Sequence, residues 1–185
     1  MKPRSFDVIV LGAGAAGLFC AIEAGRRGRS VLVIDHASAP GEKIRISGGG
    51  RCNFTNTFAS PANYLSANRH FCVSALKRFT AADFIARVDA QGIAWHEKTL
   101  GQLFCDGSAK QIVDMLTGDL AEAGGKLELS TEVEEISQTA GGYDIRLSSG
   151  PVICASLVIA TGGKSIPKMG ASGFAYRVAG QFGLA

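Results

Sequence analysis

Residues 6–35 read FDVIVLGAGAAGLFCAIEAGRRGRSVLVID, and the order of an apolar run, a glycine cluster, a helical period and a second apolar run decides the fold. Residues 6–11 are short, apolar and β-branched. LFCAIEAGRRG carries apolar residues at helical spacing, and SVLVID is a second β-branched run. Two strands joined by a helix in about 30 residues imply a right-handed parallel βαβ unit whose strands are covered on both faces. The expected class is therefore α/β, with a Rossmann-like parallel sheet.

Gly12, Gly14 and Gly17 form GxGxxG between strand and helix, and Asp35 closes the second strand. Each glycine has a physical task there: a tight turn, close approach of the backbone to a pyrophosphate, and close packing of helix on sheet. The helix N-terminus offers N–H donors and partial positive charge to phosphate, and an acid at the second strand end accepts hydrogen bonds from ribose hydroxyls. This context points to a dinucleotide, and Asp35 disfavours the 2′-phosphate of NADP.

Beyond the first unit, residues 69–91 predict two helical pieces with Thr80 as N-cap and Gly92 as the stop. IAWHE and GQLFC read as short strands and residues 108–125 as a helix. Residues 127–153 read as a small antiparallel meander, which returns through VICASLVIATGG to the parallel sheet. A loop and an amphipathic helix follow. A helix after a parallel strand should hand the chain to another strand, so the 185 residues read as the N-terminal portion of a longer dinucleotide-binding domain.

Residues 43–56, KIRISGGGRCNFTN, show neither strand alternation nor helical period and read as a loop without an apolar face. Glycines in such a loop imply a sharp bend or the close approach of a guest. A phosphate, a nucleic-acid backbone, a metal or a cofactor anchored elsewhere all remain open on composition alone.

The rest of the composition mainly excludes. Nineteen basic against 16 acidic residues give a net charge of +3 with no long basic block, so any attraction to nucleic acid must come from a local patch. Five cysteines (Cys20, Cys52, Cys72, Cys105, Cys154) with no CxxC pair fit neither a disulfide framework nor a zinc ribbon, and a reducing cytoplasm is the expected location. The apolar stretch at 8–24 is broken by glycines and closed by Glu23, against a signal peptide or membrane span. His36, His70 and His96 lack ligand spacing, so no metal is expected. Trp95 and the ten phenylalanines are not interleaved with Lys or Arg along one segment, so they are expected to pack in the core rather than stack on bases.

GEKIRISGGGRCNFTN at 41–56, together with GQLFC and ATGGKSIPKMGASG, resembles the signature of the HI0933-like (BaiN-like) family of bacterial flavoproteins. A meander leading to a strand that ends in ATGG is also similar to two-dinucleotide-binding-domain flavoproteins. The resemblance implies a Rossmann-like FAD-binding fold, incomplete at the C-terminus here. The family's substrate-side domain and closing FAD segment are then absent from residues 1–185. By the same resemblance Gly12, Gly14, Ala15, Ala16, Gly17 and Asp35 would bind the ADP half. Lys43, Ser47, Gly50, Arg51, Cys52, Asn53 and Thr55 would lie along the pyrophosphate, ribityl chain or flavin. Val133 would meet adenine through its backbone, and Thr161 and Gly162 would close over the cofactor. The sequence departs from the family pattern at Asp35, usually Glu, and at residues 173–176, GFAY where the family often has GDGY.

These readings lead to an FAD-dependent oxidoreductase that takes electrons from NAD(P)H and reduces an activated C=C bond of a small organic substrate. A flavoprotein that reduces a base in a large RNA is the alternative, and a non-catalytic FAD-binding module is a third. Arg51 is expected to face an anion or the N1 edge of reduced flavin. Cys52, lacking a partner thiol at redox spacing, is expected to pack rather than react. No catalytic acid or base is identified.

Overall fold

The computed structural model describes residues 2–163 and 173–184, so the loop expected over 164–172 lies outside the described residues. In chain order the elements are β1 (Arg4–Leu11), α1 (Ala15–Arg26), β2 (Val31–Ile34), α2 (Glu42–Ile46), β3 (Asn53–Asn56), α3 (Val73–Arg78), α4 (Ala81–Ala90), β4 (Trp95–Glu97) and β5 (Gln102–Cys105). They continue with α5 (Lys110–Glu122), β6 (Lys126–Glu128), β7 (Val133–Thr139), β8 (Gly142–Leu147), β9 (Gly150–Ile159) and α6 (Phe174–Gln181). The chain divides into two compact units, one of Met1–Lys43 with Leu116–Ala185 and the other of Ile44–Met115.

The first unit is built on a six-stranded sheet in the order β6-β2-β1-β9-β8-β7. Its β6, β2, β1 and β9 are parallel, and β9, β8 and β7 form the antiparallel meander. Alternation divides the parallel strands into two faces. Ile9, Leu11, Leu32 and Ile34 cluster with Ile136, Ile145 and Leu147 of the meander and with Val178 of α6. The opposite residues, Val10, Val31 and Val33, are equally buried, and α1 packs on β1 and β2 through Leu18, Ala21 and Ile22 at helical spacing. Each such aliphatic side chain contributes about 1.5–3 kcal/mol by leaving water. At Gly25 a Cβ would lie 2.6 Å from Ala123 O, so glycine lets α1 meet the end of α5 closely.

The meander is shorter than the sequence suggested. Residues 126–128 pair in parallel with β2, in the register Leu32↔Lys126 to Ile34↔Glu128, and Arg4 on β1 forms an ion pair with Glu128. The antiparallel part begins only at Val133.

The second unit carries a three-stranded antiparallel sheet in the order β3-β5-β4. Thr80 caps α4 as expected, accepting Asp83 N–H at 3.2 Å while the Asp83 carboxylate accepts Thr80 N–H at 2.7 Å. The segment read as a loop without an apolar face turns out otherwise. It holds α2, with Ile44 buried, then a 3-10 turn over Ser47–Gly50, then β3. Half-buried Phe54 packs at 6.1 Å from Phe84 and 6.2 Å from Trp95. Phe58, Phe71 and Phe79 stand exposed, against the expectation of a core.

Candidate functional site

In the first unit, β1 ends in Gly12, whose φ of +110° belongs to glycine and whose N–H donates to Ile34 O at 2.7 Å. A Cβ there would fall 2.5 Å from Ala160 O, and one at Gly17 would fall 1.9 Å from Gly12 O. These two glycines let β1, β9 and α1 converge. Gly14, the N-cap of α1, is different: a Cβ there would meet nothing within 4 Å. The space is open, so the backbone is left bare toward it. No side chain caps α1 and no acid occupies its first turn, so the N–H groups of Ala15, Ala16 and Gly17 have no acceptor among the described residues. Unmet donors at a helix N-terminus, beside an open space, suit a phosphate.

Asp35 directly follows β2. Its Oδ2 accepts Ala13 N–H at 2.7 Å and its Oδ1 accepts Ala37 N–H at 3.0 Å. Oδ1 also faces His36 Nδ1 at 3.3 Å, and Oδ2 keeps a lone pair for a further donor. Thr131 N–H donates to Asp35 O and Ser130 N–H to Ala37 O, which ties the approach to Val133, the half-buried first residue of β7, to the same strand end. Thr161 and Gly162 follow β9 and are exposed. Gly162 has φ +75°, and Lys43 Nζ lies 3.3 Å from where its Cβ would be. The carboxyl ends of β1, β2 and β9 thus bring Gly12, Gly14, Ala15, Ala16, Gly17, Asp35, Lys43, Thr161 and Gly162 to one end of the sheet, the usual ligand edge of an open α/β sheet. Tyr176 of α6 reaches the same strand end, its hydroxyl 3.6 Å from the position of a Cβ at Gly163. Its stretch, residues 173–176, stood out in sequence only as a departure from the family pattern, because α6 is remote along the chain from β9.

The other candidates lie in the second unit. Gly48 and Gly49 adopt left-handed φ of +59° and +67°, and a Cβ on Gly48 would strike the Phe104 ring at 2.6 Å. The turn is fixed by Ser47 Oγ donating to Ile44 O at 2.8 Å and by Cys52 N–H donating to Ser47 O at 3.0 Å. Gly50 O accepts Ala109 N–H and Arg51 O accepts Cys105 N–H, so the turn is stitched to both ends of the segment that follows β5. The Arg51 side chain is exposed and makes no hydrogen bond or ion pair among the described residues. Cys52 is buried at φ +54°, and burial pushes its thiol pKa up while a hydrogen bond with Ser47 opposes. It is a packed, protonated thiol. Asn53, with its amide nitrogen turned to the strand, donates to Thr55 O at 3.0 Å and Leu103 O at 3.3 Å. Its amide donors serve the turn into β3.

His96, a lone histidine by sequence, has a partner. Its Nδ1 lies 2.6 Å from Asp106 Oδ1, and its ring stacks on Phe104 at 6.2 Å. Ten residues separate the pair in sequence, and only the antiparallel pairing of β4 with β5 joins them. The five cysteines are free thiols. Among the described residues no three His, Cys, Asp or Glu side chains gather as a metal site, and no helix is long and apolar enough to cross a membrane.

The open space at Gly14, the unmet N–H groups of α1 and the lone pairs of Asp35 fit the ADP half of a dinucleotide. Comparison with known proteins agrees on the fold. Glycine oxidase from Geobacillus kaustophilus superposes with a TM-score of 0.59 at 19% identity, covering 98% of this chain and 59% of that one. The fold is that of the FAD-binding Rossmann type found in flavoprotein oxidoreductases. Among curated proteins, the ribosomal RNA dihydrouridine synthase of Escherichia coli (strain K12) is 56% identical over 179 residues, and that of Haemophilus influenzae is 48% identical over 180. These alignments cover 97% and 95% of this chain and 45% of each relative. A 3-dehydro-bile acid delta(4,6)-reductase of Clostridium scindens is 26% identical, over 94% of this chain and 43% of that protein. The chain spans less than half the length of these relatives. Residues 6–185 match the family described as HI0933-like protein Rossmann domain, and the chain therefore belongs to the HI0933-like family.

Proposed function

We propose that this chain is the N-terminal, FAD-binding portion of a flavoprotein that reduces the C5–C6 double bond of a uridine in ribosomal RNA, with NAD(P)H as the electron source. The observation that carries this reading is the 56% identity, across 97% of the chain, to a ribosomal RNA dihydrouridine synthase, with a second relative of that name at 48%. It reverses the order expected from sequence, where a small organic substrate came first and RNA second. The bile acid reductase at 26% is the more distant relative. Uridine and a steroid enone share the relevant chemistry, a double bond conjugated to a carbonyl.

Bound FAD would supply hydride transfer to such a bond. The chain's own part is to hold and orient. The N–H groups of Gly14, Ala15, Ala16 and Gly17 receive the pyrophosphate, with the α1 N-terminus adding partial positive charge. Asp35 takes ribose hydroxyls with the capacity that Ala13, His36 and Ala37 leave unused, and the shorter acid in place of Glu still serves. Val133 meets adenine through its backbone. Lys43 adds a cation beside Gly162, and Thr161 closes the strand end. Ser47, Gly50, Arg51, Cys52, Asn53 and Thr55 would lie along the pyrophosphate, ribityl chain or flavin, Arg51 supplying fixed positive charge and Cys52 staying a neutral thiol. The remaining, C-terminal part of the protein supplies the substrate side and the closing FAD segment, so residues 1–185 alone do not turn over. Free thiols and a ribosomal substrate both suit the cytoplasm.

The test uses the full-length protein, purified with its flavin, and ribosomal RNA from cells lacking the gene. Incubation with NADH or NADPH should add two hydrogens to a uridine, read by mass spectrometry of the digested nucleosides. Reduction of a steroid enone with no dihydrouridine formed would overturn the proposal in favour of a small substrate.

A further inference from the structure

Three large apolar side chains stand in solvent on one short loop of the second unit: Tyr64 is 51% exposed, Leu65 101% and Phe71 77%. Exposed apolar residues are ordinary when scattered, but three within eight residues of one loop mark a candidate contact surface. The loop runs over residues 61–72 and is closed at its base, where Cys72 Sγ reaches Pro61 O at 4.0 Å. Ser60 N–H donates to Asn63 Oδ1 at 2.8 Å, and within the loop Asn68 N–H donates to Ser66 Oγ and His70 N–H to Asn68 Oδ1. Every residue from 62 to 71 is exposed, yet the backbone is held by these turns, which lowers the cost of ordering it on binding.

The stretch of sequence that carries the loop has charge of one sign. Residues 44–82 include Arg45, Arg51, Arg69, Lys77 and Arg78 and not one Asp or Glu. In the loop itself Arg69 Nε lies 3.2 Å from His70 Nε2, next to Phe71. Aromatic faces set among cations without anions match unpaired RNA, whose bases stack on aromatic rings while its phosphates meet arginine. An apolar protein surface would instead leave Arg69 desolvated and unpaired, which is costly. We infer that the loop over residues 61–72 is an RNA-contact surface, stacking unpaired bases on Tyr64 and Phe71 and setting Arg69 against phosphate. This rests on the ribosomal RNA reading above and names the part of the chain that would meet that RNA.

The experiment takes the full-length flavoprotein and its Tyr64→Ala, Phe71→Ala and Arg69→Ala variants. Binding of a short fluorescein-labelled oligouridylate is followed by anisotropy over a salt series, beside KM and kcat on ribosomal RNA, flavin content and Tm. Each aromatic variant should weaken binding about tenfold. Arg69→Ala should lower the slope of log K against log salt by about 1. KM for RNA should rise, with kcat, flavin content and Tm unchanged. Unaltered binding and KM in all three variants would overturn the inference. So would unaltered binding with a lowered Tm, which would show the loop packed against another part of the chain. A wild-type protein that binds the oligouridylate but forms no dihydrouridine would overturn the ribosomal RNA reading itself, a separate result.

Discussion

Asp35 Oδ2 accepts the backbone N–H of Ala13 at 2.7 Å, so the acid at the end of β2 ties down the glycine turn that follows β1. Ala13 is fully buried, and water cannot replace this acceptor. Asp35→Ala should cost about 1–3 kcal/mol through the unmet N–H. Asp35→Asn, which keeps one acceptor oxygen, should cost less. The check is the urea midpoint of the two variants against wild type; an unchanged midpoint for Asp35→Ala would leave the carboxylate with no structural role.

The three fingerprint glycines should behave differently under the same substitution. Gly12→Ala and Gly17→Ala put a methyl 2.5 Å and 1.9 Å from backbone oxygens, and should prevent soluble expression or lower Tm sharply. Gly14→Ala meets nothing and sits at an ordinary φ of −81°, so its stability loss should stay below about 1 kcal/mol. Its effect should fall on the cofactor, with FAD affinity down by about tenfold or more, corresponding to about 1.4 kcal/mol. Titration of the apoprotein with FAD beside a melting curve separates the two outcomes.

A similar contrast applies in the turn over Ser47–Gly50. Gly48→Ala adds both left-handed strain and a clash with Phe104, whereas Gly49→Ala adds only the strain. The first should destabilise by about 2–4 kcal/mol and the second by about 1 kcal/mol. Equal losses at the two positions would contradict the packing of Gly48 on Phe104.

Alkaline pH should weaken the fold through its buried thiols. Burial, then the neighbouring Cys52, pushes the Cys105 pKa from 9.0 to about 11, and burial raises Cys52 and Cys154 as well. A raised folded-state pKa means that the unfolded chain loses its proton first. The stability Cys105 contributes is whole below pH 9 and is lost between pH 9 and about 11. The urea midpoint of wild type should fall over that window more steeply than that of Cys105→Ala. Native Cys105 should also resist iodoacetamide at pH 8 and react once the protein is unfolded.

The parallel core was legible because its signals are local. Residues 6–35 carry their own periods, glycine turn and terminal acid, and each element formed where its pattern lay. The same holds for Thr80 and Asp83, which cap α4 from three residues apart. Legibility failed where a partner distant in sequence decides. Residues 53–56 have no alternation worth reading, and they become β3 because β5 offers an edge. Residues 126–128 resemble the meander that follows, yet β2 captures them in parallel. His96 needed Asp106, just past the end of the neighbouring β5, and Tyr176 needed the end of β9. Phenylalanine content likewise promised only a core, while Phe58 and Phe71 lie outside it.

β9 is paired twice over part of its length: Val152, Ile153 and Cys154 bond in parallel register to Arg4, Ser5 and Phe6 and in antiparallel register to Ile145, Asp144 and Tyr143. The meander is consequently not a detachable ornament. Successive N–H groups point to opposite edges of a strand, so prolines at Ile153 and Cys154 would each break a different ladder, and a deletion of the β7–β8 hairpin would bare one flank of the strand that leads to Thr161 and Gly162. Hydrogen exchange should find these three amides among the slowest of the first unit, with the hairpin opening only when the nucleotide-side strand opens with it. Evolution is then free to vary the hairpin's turn at residues 140–141, but not at Gly142, where a Cβ would fall 2.0 Å from Cys154 O on β9, nor along its inner edge.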